Sequence, residues 1–349
     1  MVATPVRTAE SDVADRLAAY RDRTYRALLA SLPTREPRRY LYDLISAQLA
    51  RAGKGLRPAL LLATCSAFGG DVEDALPSAV ALELLHNAFL VHDDIEDGSL
   101  FRRDHPTLYI EHGTPIAINV GDAMNSLSIV SLTENIPVLG ADLAYRIFHE
   151  AHHLVLQSVE GQALELGWTR DNAFDLTEDD YLRMVLKKTC WYTCIHPCRI
   201  GALIGTRGAI DANRFNLFGF LLGAAFQIQD DILNLIGDRD VYGKEILGDL
   251  WEGKRTLMLV HALRACTDDE RAELGRVFSV GREQRTERDV QWVFRLFERY
   301  GSIDAARATL RAMVAGALSE FDIAFGDAPV SADRDFIRNL VPFLGDRDI

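Results

Sequence analysis

The amino-acid sequence predicts an all-α protein, a single domain of many antiparallel helices. Three observations lead there. Apolar residues recur at helical spacing through long runs. The breaks between those runs fall at proline and glycine. No convincing run alternates apolar with polar residues, and no low-complexity linker divides the chain. With 349 residues, 48% of them hydrophobic, there is ample material for one large core.

Taken in order, residues 1–10 read as a loose start. Ser11 to Leu32 reads as a helix ended by Pro33 and Pro37, and Tyr40 to Ala50 as a second, broken by Gly53 and Gly55. Pro58 to Phe68 is a third. Asp71 caps a helix running to Asp97 that is apolar on nearly every side, which assigns it to the middle of the bundle. Residues 98–113 read as a polar loop. Pro115 to Thr133 and Ala141 to Gly167 are long helical patterns. Thr177 with Asp180 has the form of a capping box opening Asp179 to Lys188. Gly201 to Arg207 continues apolar, Ala212 to Ile236 is another long helix, and residues 237–253 are a loop rich in glycine and charge. Four shorter helical patterns finish the chain.

A net charge of −13 argues against a nucleic-acid partner, which calls for a basic face. An anionic substrate must then be held by local cations and metal. The N-terminus shows no apolar signal core, and no segment is expected to reach the roughly 18 apolar residues of a membrane-spanning helix. Five cysteines without a signal peptide point to the reducing cytoplasm.

The stretch that carries chemistry is His92-Asp93-Asp94-Ile95-Glu96-Asp97, followed by Arg102-Arg103. On a helix, Asp93 and Asp97 lie one turn apart on one face and repel unless cations lie between them. Mg²⁺ suits such oxygen donors and takes substrate phosphates as further ligands. The paired arginines would hold the same phosphates. The bland reading is a solvated acidic helix end. A second cluster answers it: Gln227, Asp230, Asp231 and Asn234 share one face at the end of another apolar helix. Basic residues come in short sets, namely Lys54 and Arg57, Arg102 and Arg103, Lys187-Lys188-Thr189, Lys244, and Lys254-Arg255. Each alone reads as surface charge. Together with two acidic clusters they describe a site for Mg²⁺ and more than one phosphate-bearing substrate.

Gly53-Lys54-Gly55-Leu56-Arg57-Pro58, Glu83-Leu84-Leu85-His86, Asp93 to Asp97, Arg102-Arg103, Lys188-Thr189, Gln227 to Asn234, and Gly243-Lys244 through Asp249 to Glu252-Gly253-Lys254 follow one another in a set order. In this the chain resembles the trans-isoprenyl diphosphate synthases, the polyprenyl synthetase family. The resemblance spans residues 53–257 and implies an antiparallel helix bundle around a central cavity. It implies that Asp93, Asp97 and Asp230 bind three Mg²⁺ ions, for which Mn²⁺ substitutes, with Asp94 and Asp231 in support. Lys54, Arg57, His86 and Arg103 would hold isopentenyl diphosphate. Arg102, Lys188, Thr189, Gln227, Lys244 and Lys254 would hold an allylic diphosphate. A homodimer is implied as well. The expected reaction is head-to-tail condensation, with geranylgeranyl diphosphate as the product.

Three features depart from the family pattern. Asn234 stands where many members have aspartate. Residues 190–200 are rich in aromatics and cysteine, and the C-terminus carries one late Arg347 in place of a basic tail. Leu85, Ala88 and Phe89 precede Asp93 by one and two turns, where the growing tail is expected to run. In farnesyl-producing members the position five before the first aspartate often carries a bulky aromatic; here it is Ala88. Trp191 and Tyr192 would form a lower floor if they face the cavity.

Other readings compete. Glu83-x-x-His86 and Glu150-x-x-His153 match a unit of di-iron bundles, with Glu160 or Glu165 as further ligands, but the aspartate clusters would go unused. Cys190, Cys194 and Cys198 with His196 form a conceivable soft-metal set, which Pro197 is expected to disrupt; buried thiols are the simpler reading. A terpene cyclase would ionise an allylic diphosphate yet has no use for Lys54, Arg57, His86 and Arg103. A non-catalytic regulatory subunit would not need intact acidic motifs.

Overall fold

Val72–Glu96, the helix α4, is surrounded by the others in the computed structural model, which describes residues 9–51, 53–237 and 245–345. Asp71 accepts a hydrogen bond from the Glu73 amide and caps it. From Ala75 to Val91 nearly every side chain is buried. By length and composition this helix is apolar enough to cross a membrane, contrary to expectation, but most of it is buried inside the bundle. That is the burial of a core helix, apolar all round because neighbours cover every side.

The other helices are α1 (Ala9–Ser31), α2 (Asp43–Ala50, led in by a π turn), α3 (Leu56–Ala67), α5 (Leu108–His112), α6 (Thr114–Thr133), α7 (Asn135–Leu139), α8 (Ala141–Arg170), α9 (Glu178–Val185), α10 (His196–Gly205), α11 (Asn216–Ile236), α12 (Gly248–Glu252), α13 (Leu257–Ala265), α14 (Asp268–Phe278), α15 (Glu287–Arg299), α16 (Ser302–Ala324) and α17 (Ala332–Gly345). The capping box of Thr177 and Asp180 is present.

Three local expectations are corrected. The polar loop 98–113 contains a small hairpin, with Phe101 opposite Pro106 and Arg102 opposite His105, and the short helix α5. The charged loop before Lys254 contains the short helix α12. Pro197 does not interrupt the chain's helical path. It occupies the first turn of α10, where its missing N–H is not needed, and the wide π-helical turns Leu186–Ile195 carry α9 into α10. Gly161 lets α8 press onto that π segment, because a Cβ there would stand 2.2 Å from the Lys188 amide nitrogen.

Candidate active site

The end of α4 supplies the first carboxylates. Asp94 is buried and accepts from Arg102 Nε at 2.6 Å. Asp93 meets Arg102 Nη2 at 3.4 Å and Lys188 Nζ at 3.5 Å. Asp97 meets Lys254 Nζ at 2.9 Å, which also reaches Glu252 at 2.7 Å. From α8, Gln162 donates to Glu96 at 2.6 Å and Glu165 pairs with Lys188. Burial alone would lower these cations. Asp94 and Asp93 hold Arg102 above its ordinary range, Glu165 and Asp93 do so for Lys188, and Glu252 and Asp97 for Lys254. Asp97 is pushed up to about 7 by burial, with Asp93 and Glu252 adding and Lys254 only partly offsetting.

The second cluster lies at the end of α11. Asp231 accepts from Tyr181 Oη and from Gln227 Nε2, both at 2.7 Å. Burial still lifts it to about 7, against those two bonds, with Asp230 adding. Thr189 Oγ1 donates to Gln227 at 2.8 Å. Consecutive residues Lys188 and Thr189 therefore reach α4 on one side and α11 on the other, so the two clusters flank the π segment. Asn234 does not join the aspartates. Its side-chain oxygen accepts from the Asp249 amide at 2.9 Å and its carbonyl from the Leu247 amide at 2.7 Å, so it clips the start of α12. Its side-chain Nδ2 also donates to the Glu245 carbonyl at 3.4 Å, so the amide uses both an acceptor and a donor here.

The third group is basic. Arg57 Nη1 donates to His86 Nε2 at 3.2 Å and Arg57 Nη2 to Tyr192 Oη at 2.5 Å. Lys54 is exposed beside them in sequence. Arg103 and Asp104 form the two-residue turn of the hairpin, both at positive φ (53° and 62°). Both central residues of such a turn need positive φ, which side chains other than glycine adopt at a cost. The arginine is held there by a bond from Nη1 to the Arg51 carbonyl. A cavity of about 540 Å³ opens beside it, lined by Arg21, Asp22, Tyr25, Arg51, Arg103 and His105 among others, but not by the aspartates of the two clusters.

Lys244 and Arg347 lie outside the described residues. Leu85 and Phe89 pack in one apolar cluster with α3, α8 and α10, whereas Ala88 packs in another with Val120 and Met124 of α6. The ring of Phe89 meets Tyr192 edge-on at 5.8 Å, and that of Trp191 faces His153 and His196 instead. Gln162 and Tyr181 have no place in the sequence reading, which offers Glu165 only as an iron ligand and Glu252 only as part of a motif. A glutamine and a glutamate three apart just after Gly161 were the available signal for α8.

The di-iron reading fails on geometry. Glu83 takes hydrogen bonds from Tyr25 at 2.7 Å and from Asn87, while Glu150 is paired with Arg199 and His196. Glu165 is paired with Lys188. The thiols of Cys190, Cys194 and Cys198 are buried and shared between two core clusters, and burial raises each. Among the described residues no three His, Cys, Asp or Glu side chains already converge as a ligand set, the aspartates included, because basic side chains lie among them.

A helical bundle with two aspartate clusters flanking a basic segment has the architecture of the isoprenyl synthases, enzymes that transfer prenyl groups. The chain belongs to the polyprenyl synthetase family, whose model matches residues 38–297. It is 35% identical over 240 residues to the geranylgeranyl diphosphate synthase of Saccharolobus solfataricus, covering 68% of this chain and 70% of that one. It is 34% identical to the short chain isoprenyl diphosphate synthase of Methanothermobacter thermautotrophicus, covering 74% and 77%. The geranylgeranyl pyrophosphate synthetase structure from Pyrococcus horikoshii superposes with a TM-score of 0.82 at 28% identity, over 95% of this chain and 98% of that one. The protein is thus a prenyltransferase that lengthens isoprenyl diphosphates head-to-tail, and its family depends on divalent metal.

Proposed function

We propose that the chain condenses isopentenyl diphosphate with an allylic diphosphate to give geranylgeranyl diphosphate, with Mg²⁺ bound by Asp93, Asp97 and Asp230. The observation that carries this is the arrangement of two acidic clusters on either side of Lys188 and Thr189, with Arg57, His86 and Arg103 in a separate basic set. The donor set fits the ion. Its atoms are hard carboxylate oxygens, and burial lifts Asp97 and Asp231 to about 7, so added positive charge would stabilise them as anions. Three Mg²⁺ ions, with Mn²⁺ as a substitute, would supply electrophilic stabilisation of the departing diphosphate.

The chain's own residues do the rest. Lys188, Lys254 and Arg102 exchange their carboxylate partners for phosphate oxygens and orient the allylic diphosphate, with Thr189 and Gln227 beside it. Arg57, His86, Arg103 and Lys54 hold the second diphosphate. Apolar walls at Leu85 and Phe89 keep water from the allylic cation. The proton lost after bond formation goes to the departing diphosphate, so no side-chain base is needed. Having two separate basic sets favours chain elongation over cyclisation, which needs one diphosphate site.

A second copy of the chain would cover the exposed apolar side chains Ile118, Ile129 and Val130 of α6 and Tyr145, Leu156 and Val159 of α8, making a homodimer. The free cysteines suit a reducing cytoplasm. Incubation with isopentenyl diphosphate and dimethylallyl, geranyl or farnesyl diphosphate, followed by product sizing, tests the reading. A cyclic hydrocarbon formed from an allylic diphosphate alone would replace it with a cyclase.

A further inference from the structure

The buried guanidinium of Arg285 lies outside every motif above, in the turn between α14 and α15. It is 6% exposed. Nη1 donates to the carbonyl of Leu250 at 2.7 Å and also to that of Trp251, both at the C-terminal end of α12. Nε donates to the carbonyl of Val277 at 3.1 Å and Nη2 to that of Val280 at 2.8 Å, and the group lies 5.1 Å from the Phe278 ring centroid. All four bonds end on neutral main-chain oxygens. Burial accordingly lowers its basicity. A guanidinium kept from water with no carboxylate among these partners needs a reason, because a neutral side chain would be cheaper to bury.

The reason lies in what α12 carries. The α12 carbonyls that Arg285 holds would otherwise be orphaned at a helix end. Directly after them Gly253 turns with φ +79°, and its amide and that of Lys254 both bond the Asp249 carbonyl at 2.9 Å. A Cβ on Gly253 would stand 3.1 Å from Arg285 Nη2, so the guanidinium packs closely against the turn. The next residue is Lys254, whose ammonium reaches Asp97.

We propose that Arg285 is a positioning residue for prenyl transfer: by holding the end of α12 it fixes where the Lys254 ammonium meets the allylic diphosphate. This rests on the assignment of Lys254 to that substrate. Arg285 touches neither substrate, and it acts through the backbone of residues 250–254. Lysine at 285 could serve one or two of the carbonyls but not span both helix end and turn.

The test compares Arg285→Lys with Lys254→Ala, by steady-state kinetics for each substrate and by hydrogen exchange of the peptide covering 248–255. Arg285→Lys should raise the allylic KM about tenfold, the size of one misplaced charge-assisted contact, and leave the isopentenyl diphosphate KM within about twofold. Exchange in 248–255 should quicken while the α4 peptides stay protected. Equal effects on both substrates, or unchanged exchange, would overturn the proposal. If Lys254→Ala raises the allylic KM and Arg285→Lys does not, the proposal alone falls. If Lys254→Ala leaves it unchanged, the proposal falls with the assignment it rests on.

Discussion

Replacing His196 with glutamine should remove an acid-sensitive part of the protein's stability. His196 is 1% exposed. Its Nδ1 lies 2.8 Å from Glu150 Oε2 and its Nε2 2.9 Å from His153 Nδ1. Glu150 is clamped by Arg199 through bonds of 2.6 and 2.7 Å, and the Trp191 ring covers the imidazole at 5.0 Å. Neutral His196 satisfies both neighbours, donating from Nδ1 to Glu150 and accepting at Nε2 from His153. Protonation would turn that acceptor into a second N–H, which His153 could meet only by giving up its own Nδ1 proton. Burial therefore lowers His196 from 6.5 to about 4, with Arg199 and His153 adding and Glu150 only partly opposing. Since the folded value lies below the unfolded one, the contribution is complete above pH 6.5 and is lost as pH falls through 4. A drop from 6.5 to about 4, at 1.36 kcal/mol per unit, makes it about 3 kcal/mol. Glu150, held near 2 against burial by Arg199 and His196, stays ionised through that window. Urea denaturation of wild type and His196→Gln at steps from pH 7.5 to 4.5 should show curves that converge as pH falls. Groups elsewhere titrate alike in both proteins and cancel. Parallel curves would refute the reasoning.

Asp93→Ala or Asp230→Ala should lower kcat by about 10²–10³ or more, because stabilisation of the leaving diphosphate is lost; full turnover in excess EDTA would contradict the metal assignment behind this. Arg103→Ala and His86→Ala should raise the apparent KM for isopentenyl diphosphate, and Lys188→Ala that for the allylic substrate, each by the loss of one charge-assisted contact. Initial rates with each substrate varied in turn would show equal shifts if the two basic sets do not serve separate diphosphates. Phe89→Ala should lengthen the main product by opening the edge-on contact with Tyr192, and Ala88→Phe should shorten it by filling the seam with Val120 and Met124. Because the two residues face different clusters, chromatography of the products also tells along which wall of α4 the tail runs; unchanged products in both would place chain-length control elsewhere.

The helices and both acidic clusters were legible in the sequence because their signals are local. Helical spacing, prolines and glycines at breaks, the Thr177–Asp180 box and aspartates four apart need only a few neighbouring residues to be read. The short hairpin at 101–106 escaped, since two residues per strand carry no period, and so did α12, hidden in a charged stretch. Pro197 was misread because a proline breaks an interior helix but opens a new one, and sequence alone did not tell which turn it would occupy. Tertiary structure alone decided the partners. Glu150, in a motif-like pair with His153, instead binds Arg199 and His196 across α10. Glu165 meets Lys188, Asn234 clips α12, and Arg285 closes on carbonyls 35 residues before it. Each of those pairings joins residues distant in the chain, and the free energy of burying a charge depends on which oppositely charged or hydrogen-bonding group the fold brings alongside it.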